Sequence, residues 1–194
     1  MTTTALRRRL RFAALTLTLA GGIVFAHPAA AAPPAPVPAL DVQRYLGTWI
    51  QLAAIPQPFS LACARDTRAE YSAAPDGLVV RNSCTTWLGT RDERYGTARI
   101  VDAETDAQLA VAFGREPDRT PNYVVTALDP EYQWALVVNP ERTAAFVLSR
   151  TPAPDETRWA AVRAAVEAAG IDPCLVVTSP VTGGSDRIVP LCAR

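Results

Sequence analysis

From Trp49 onward, apolar and polar positions alternate over short runs that end in Gly, Pro, Asn or Asp, the period-two pattern of half-buried strands. The pattern predicts strands over 48–55, closed by Pro56, over 67–72, followed by Ala-Ala-Pro-Asp-Gly, and over 78–86, which completes a hairpin. Five more are predicted over 95–101, 108–113, 123–128, 133–138 and 143–149. Most linkers between them are too short for crossover helices, so neighbours in sequence should pair antiparallel in an up-and-down meander. Eight such strands are enough to close a barrel. The period then changes. Asp155 can cap a helix running to Ala169, with Trp159, Val162 and Val166 on one face and Gly170 at its end. A last strand over 175–179 should pair outside the first. The expected class is all-β: an eight-stranded antiparallel barrel with one C-terminal α-helix packed on its wall and a short final strand.

The opening of the chain follows a different pattern. Arg7, Arg8, Arg9 and Arg11 precede an uncharged, largely apolar run over 12–26, and Ala29, Ala30 and Ala31 offer a small-residue cleavage site. Residues 1–31 therefore read as a secretory signal peptide. The apolar run is short for a membrane span and no second one follows, so the expectation is an exported, soluble protein without a transmembrane segment. A lipoprotein would carry a cysteine directly after that run, whereas the first cysteine is Cys63, so no lipid anchor is expected. Residues 32–39, rich in Pro and Ala, should form an extended and poorly ordered leader, and 40–194 a single domain.

Cleavage near Ala31 alters the available chemistry. It removes the only histidine, His27, and the only methionine, Met1, from a chain that contains no lysine. Histidine-dependent triads, histidine metal sites and lysine Schiff bases then lack their side chains, so no catalytic residue, metal or cofactor is expected. Losing four of 19 basic residues leaves 15 against 19 acidic ones, about −4, which does not suit a nucleic-acid surface.

Three segments carry a resemblance. Arg44-Tyr45-Leu46-Gly47-Thr48-Trp49 stands ahead of the first strand, Asp129-Pro130-Glu131-Tyr132 at the turn between the sixth and seventh, and Leu148-Ser149-Arg150-Thr151-Pro152 at the end of the eighth. In this order they resemble the lipocalin family, in particular its bacterial lipocalin and apolipoprotein D branch. The resemblance implies that Gly47 lets the backbone pass closely at the barrel floor, that Trp49 plugs the floor, and that Arg150 lies over the Trp49 ring in a cation–π contact. It implies an interior lined by Tyr71, Phe113, Tyr123 and Phe146, with Ala53 and Trp134 on the same wall. It further implies a small hydrophobic ligand such as a fatty acid or lysolipid, and a place outside the cell or in its envelope, with peripheral envelope association as one option. Two departures stand out: the lipid-bearing cysteine of many bacterial relatives is absent, and Ile50 replaces a hydroxyl-bearing residue after Trp49.

Four cysteines in an exported chain imply two disulfides, with three possible connectivities. Bacterial lipocalins resemble this chain in a cysteine before the second strand and an Asn-x-Cys in the third, here Asn82-Ser83-Cys84, which implies Cys63 with Cys84. A hairpin turning near Pro75 and Asp76 brings the same two together, leaving Cys174 with Cys192. Arg115 and Arg119, in the charged loop after the fifth strand, are candidates for an anionic head group against the plainer reading of solvated surface. Two other functions stay open: a lipocalin-fold enzyme acting on a bound lipid through Cys84 or Tyr71, and a structural barrel with a filled interior.

Overall fold

The computed structural model describes residues 32–194, so the expected signal peptide lies outside the described residues. Its strands are β1 (Gly47–Ala54), β2 (Cys63–Ala74), β3 (Gly77–Thr86), β4 (Arg91–Ile100), β5 (Gln108–Phe113), β6 (Tyr123–Leu128), β7 (Trp134–Val138), β8 (Ala145–Ser149) and β9 (Val177–Thr178). Each of β2 to β8 pairs antiparallel with the next, and β1 pairs both β8 and β2, so the sheet closes on itself and leaves β1 to β8 no free edge. The second half of β1 also carries β9, through Ala53 opposite Thr178 and Ala54 opposite Val177. The expected eight-stranded antiparallel barrel, C-terminal helix and outer final strand are all present.

Boundaries differ where polar residues continue a ladder. β4 begins at Arg91 rather than 95, because a hairpin pairs Thr85 with Arg91 and Cys84 with Asp92 whatever the polarity of the side chains. β2 likewise starts at Cys63 and β9 shortens to two residues, since Pro173–Leu175 folds as a 3-10 turn capped by Asp172. A short helix, α1 (Val42–Tyr45), was not expected; its signal was Asp41, whose carboxylate accepts from the backbone N–H groups of Gln43 and Arg44. The longer helix, α2 (Glu156–Ala168), starts where Asp155 accepts from the Arg158 N–H and turns Trp159, Val162 and Val166 inward.

The leader is not a free spacer. The Val37 N–H donates to Val125 at 2.8 Å, the Leu40 N–H to Thr105 at 2.7 Å, and Val37 packs on the barrel core. The reason is local: the floor of the barrel is apolar, and these residues cover it.

Two apolar clusters hold the fold. One fills the lower barrel, from Trp49 and Tyr45 to Val125, Val137 and Leu148. The other lies between the outer wall and α2, where Leu52, Leu136 and Val147 meet Trp159, Val162 and Val166. Along β7 the residues alternate between these clusters, so all five are buried. Ala53 and Trp134, expected on the inner wall, both belong to the outer cluster. Trp134 has the parity of Leu136 and Val138. Ala53 is turned outward by a bulge between Gln51 and Ala53 that places Leu52 and Ala53 on one face.

Candidate functional site

The floor is built from the turn that feeds β1. Gly47 adopts φ +90°, a left-handed conformation that side chains rarely take, and a Cβ there would stand 3.5 Å from Arg150 Nη1. This bend sends Trp49 into the barrel, fully buried, with its indole N–H donating 2.8 Å to the Tyr45 carbonyl. Arg150, one residue beyond β8, lies 3.7 Å from the ring centroid on the outer side. Its guanidinium donates to the carbonyls of Thr48 at 2.7 Å, Arg44 at 2.9 Å and Leu46 at 2.8 Å. Burial pulls its pKa below the ordinary arginine value, and the Tyr45 phenol opposes that shift. The Asp129 turn braces the same end: its carboxylate accepts from Glu131 and Gln133, and the Tyr132 hydroxyl accepts from the Asp41 N–H at 2.9 Å.

Above the floor stand three phenols in contact. Tyr45 and Tyr123 share a hydroxyl–hydroxyl bond of 2.6 Å, and Tyr71 and Tyr123 one of 2.9 Å. Burial raises all three pKa values, that of Tyr71 to about 12 and those of Tyr45 and Tyr123 well above the ordinary phenol value, so the cluster stays uncharged.

A cavity of about 660 Å³ opens above them. Tyr71, Phe113, Tyr123 and Phe146 all line it, with Ala69, Val80, Val111 and Leu148. Phe113, 44% exposed, sits at its mouth. The Cys63–Cys84 disulfide is part of the wall, while Cys174–Cys192 ties the C-terminal tail; among the described residues no cysteine is free.

Asn82, Asp92 and Arg94 also line the cavity and were not foreseen. The signal was available in the hairpin: Tyr71 faces Val80, so Asn82 shares the inner face, and its cross-strand partner is Arg94. The Asn82 Oδ1 is buried with no hydrogen-bond partner. Arg94 and Asp92 pair at 3.6 Å near the opening. Arg115 and Arg119 do not line the cavity; they lie exposed in the β5–β6 loop. Where β5 and β6 part, the Asn122 side chain accepts from the Val111 N–H and donates to its carbonyl, standing in for a ladder rung.

Beside the mouth lies an apolar rim. Phe59, Leu61, Trp87 and Leu88 are each more than two-thirds exposed, and the Trp87 indole donates 2.8 Å to the Leu61 carbonyl, tying the β1–β2 loop to the β3–β4 hairpin.

The family model described as a lipocalin-like domain matches residues 40–180. Temperature-induced lipocalin-1 of Arabidopsis thaliana is 39% identical over 131 residues, 63% of this chain and 69% of that protein. Outer membrane lipoprotein Blc of Escherichia coli K12 is 37% identical over 114 residues, 58% of this chain and 63% of that protein, so less than two thirds of the bacterial relative is spanned. Among solved structures, insecticyanin of the tobacco hornworm Manduca sexta superposes with a TM-score of 0.60 at 19% identity, covering 74% of this chain and 82% of that one. Lobster apocrustacyanin A1 gives 0.57 at 18% identity, covering 72% and 78%. At these identities the structural likeness is one of fold.

Proposed function

This chain belongs to the lipocalin family, and from that premise we propose that it is an exported carrier that sequesters one small hydrophobic molecule, of fatty-acid, lysolipid or similar size, inside its barrel. The observation that carries this reading is the cavity of about 660 Å³, sealed below by Trp49 and its neighbours and walled mainly by apolar side chains. The mechanism is reversible burial: the ligand exchanges water for the apolar wall, at about 25 cal/mol per Å² of apolar surface.

Export is supported by the charged and apolar pattern of residues 1–31 and by two disulfides, which persist in oxidising compartments. A place at the envelope is supported by the bacterial relative whose name puts it in an outer membrane. The exposed rim of Phe59, Leu61, Trp87 and Leu88 beside the mouth suits peripheral contact with a lipid surface.

The enzyme reading depends on a reactive group in the cavity. Cys84 is bonded to Cys63 and burial holds the Tyr71 phenol neutral, so neither is the nucleophile that reading needs.

Native mass spectrometry of the protein from its own exported fraction, followed by solvent extraction, tests the proposal. The expected result is one stoichiometric lipid-like molecule released on denaturation. An empty protein that also refuses fluorescent fatty-acid probes overturns it in favour of a structural barrel.

A further inference from the structure

The phenol cluster at the bottom of the cup has a hydrogen left over. Three hydroxyls carry three hydrogens, and the two bonds that join Tyr45 to Tyr123 and Tyr123 to Tyr71 use two of them. Among the described residues no other group bonds to any of the three hydroxyls. If the spare hydrogen sat on Tyr45, which does not line the cavity, it would be buried without an acceptor, at a cost that the reverse orientation of the chain avoids. With Tyr45 donating to Tyr123, the spare hydrogen belongs to Tyr123 or Tyr71, and both line the cavity.

We infer that the cup takes its ligand polar end first: an apolar chain or ring whose leading atom is an uncharged oxygen, hydroxyl or carbonyl, accepting a hydrogen bond from the Tyr71–Tyr123 pair. This rests on the carrier reading and adds the ligand's orientation and the chemistry of its inner end. An uncharged oxygen suits the cup bottom because the phenols are neutral, Arg150 below them is occupied by Trp49 and four carbonyls, and the arginines that line the cavity, Arg68 and Arg94, stand exposed in its upper part. A carboxylate there would be a buried anion without a counter-charge. On the wall above, the buried atom left unpaired is an acceptor, Asn82 Oδ1. Asn82 lies two residues along β3 from Val80, the partner of Tyr71, or roughly 7 Å nearer the mouth.

The test compares a hydrocarbon probe, diphenylhexatriene, with 1-hexadecanol as its competitor, on the full mature protein and on Tyr71→Phe/Tyr123→Phe. The double variant should bind diphenylhexatriene within about twofold of the parent and 1-hexadecanol about tenfold more weakly, the worth of one hydrogen bond. Unchanged hexadecanol affinity overturns the inference, as does an equal loss for both molecules, which would give the phenols a purely shaping role. If neither molecule binds the parent protein, the carrier reading itself fails. Should the variant not fold, the parent protein still decides: carbon-13 placed at C1 of bound hexadecanol should be shielded from an aqueous gadolinium chelate while the terminal methyl is relaxed. The opposite pattern overturns the inference.

Discussion

The Arg150 guanidinium lies 3.7 Å from the centroid of the Trp49 ring and at the same time donates to the carbonyls of Arg44, Leu46 and Thr48. One side chain beyond β8 thus holds both the plug of the barrel floor and the turn that delivers it. Arg150→Lys keeps a cation over the ring but cannot reach three carbonyls with a planar fork. It should destabilise the protein by about 2 kcal/mol, read from the urea midpoint. A change within experimental error would mean that the carbonyl contacts add nothing.

Gly47 permits that geometry. At φ +90° any Cβ is strained, although one added here would meet Arg150 Nη1 only at ordinary van der Waals distance, 3.5 Å. Gly47→Ala should cost about 1–2 kcal/mol, and relief of the strain by a shift of the turn would weaken the bonds that Arg150 makes to the Leu46 and Thr48 carbonyls beside it. Combining it with Arg150→Lys should therefore cost less than the two separate losses added together, a shortfall that a double-mutant cycle measures.

The phenol cluster gives the folding equilibrium an alkaline limit. The folded Tyr71 keeps its proton up to about 12, while an unfolded tyrosine loses it near 10. Below pH 10 both states are protonated and the cluster leaves stability unchanged. Between pH 10 and about 12 the unfolded chain sheds protons that the folded one retains, so stability falls as pH rises, by about 3 kcal/mol through Tyr71 alone. Urea midpoints across this range, read beside phenolate absorbance, check it. Native protein whose five tyrosines all ionise together near pH 10 would contradict the burial of the cluster.

The Cys63–Cys84 bridge joins the start of β2 to the end of β3 at the cavity wall, across 21 positions of chain. Replacing both by serine should cost about 3 kcal/mol, mainly by freeing the unfolded chain. Ligand affinity should fall as well, because the two sulfurs are wall atoms. Thiol titration of native parent protein should count zero free thiols.

Asn82 carries a buried side-chain oxygen that no described residue partners. Asn82→Leu removes that group while keeping similar bulk, so the ligand-free protein should be unchanged or more stable by up to about 1 kcal/mol. A loss of more than that would show that the amide oxygen has a partner in the ligand-free protein.

Much of this arrangement could be read along the chain. The period-two runs located all eight barrel strands, and β5 and β6 match to the residue. Gly47, Trp49 and Arg150, which the family resemblance put at the barrel floor, meet there. Tyr71, Phe113, Tyr123 and Phe146 line the cavity, whereas Ala53 and Trp134 pack in the outer cluster, Ala53 opposite β9. Trp134 was misplaced because every residue of β7 is buried, on one face by the barrel and on the other by the helix, so hydrophobicity carries no facing information there.

The sequence by itself determined the strand order, the helix with its Asp155 cap, and the three segments that mark the family, because each depends on local period, turn chemistry or short motifs. Only the tertiary structure decided which side Ala53 faces, since one bulge in β1 reverses parity with no mark in the residue types. Only it fastened the leader to the floor through Val37 and Leu40. And it alone brought Tyr45, Tyr71 and Tyr123 into one hydrogen-bonded cluster, because a contact between residues 78 positions apart exists only once the barrel has closed.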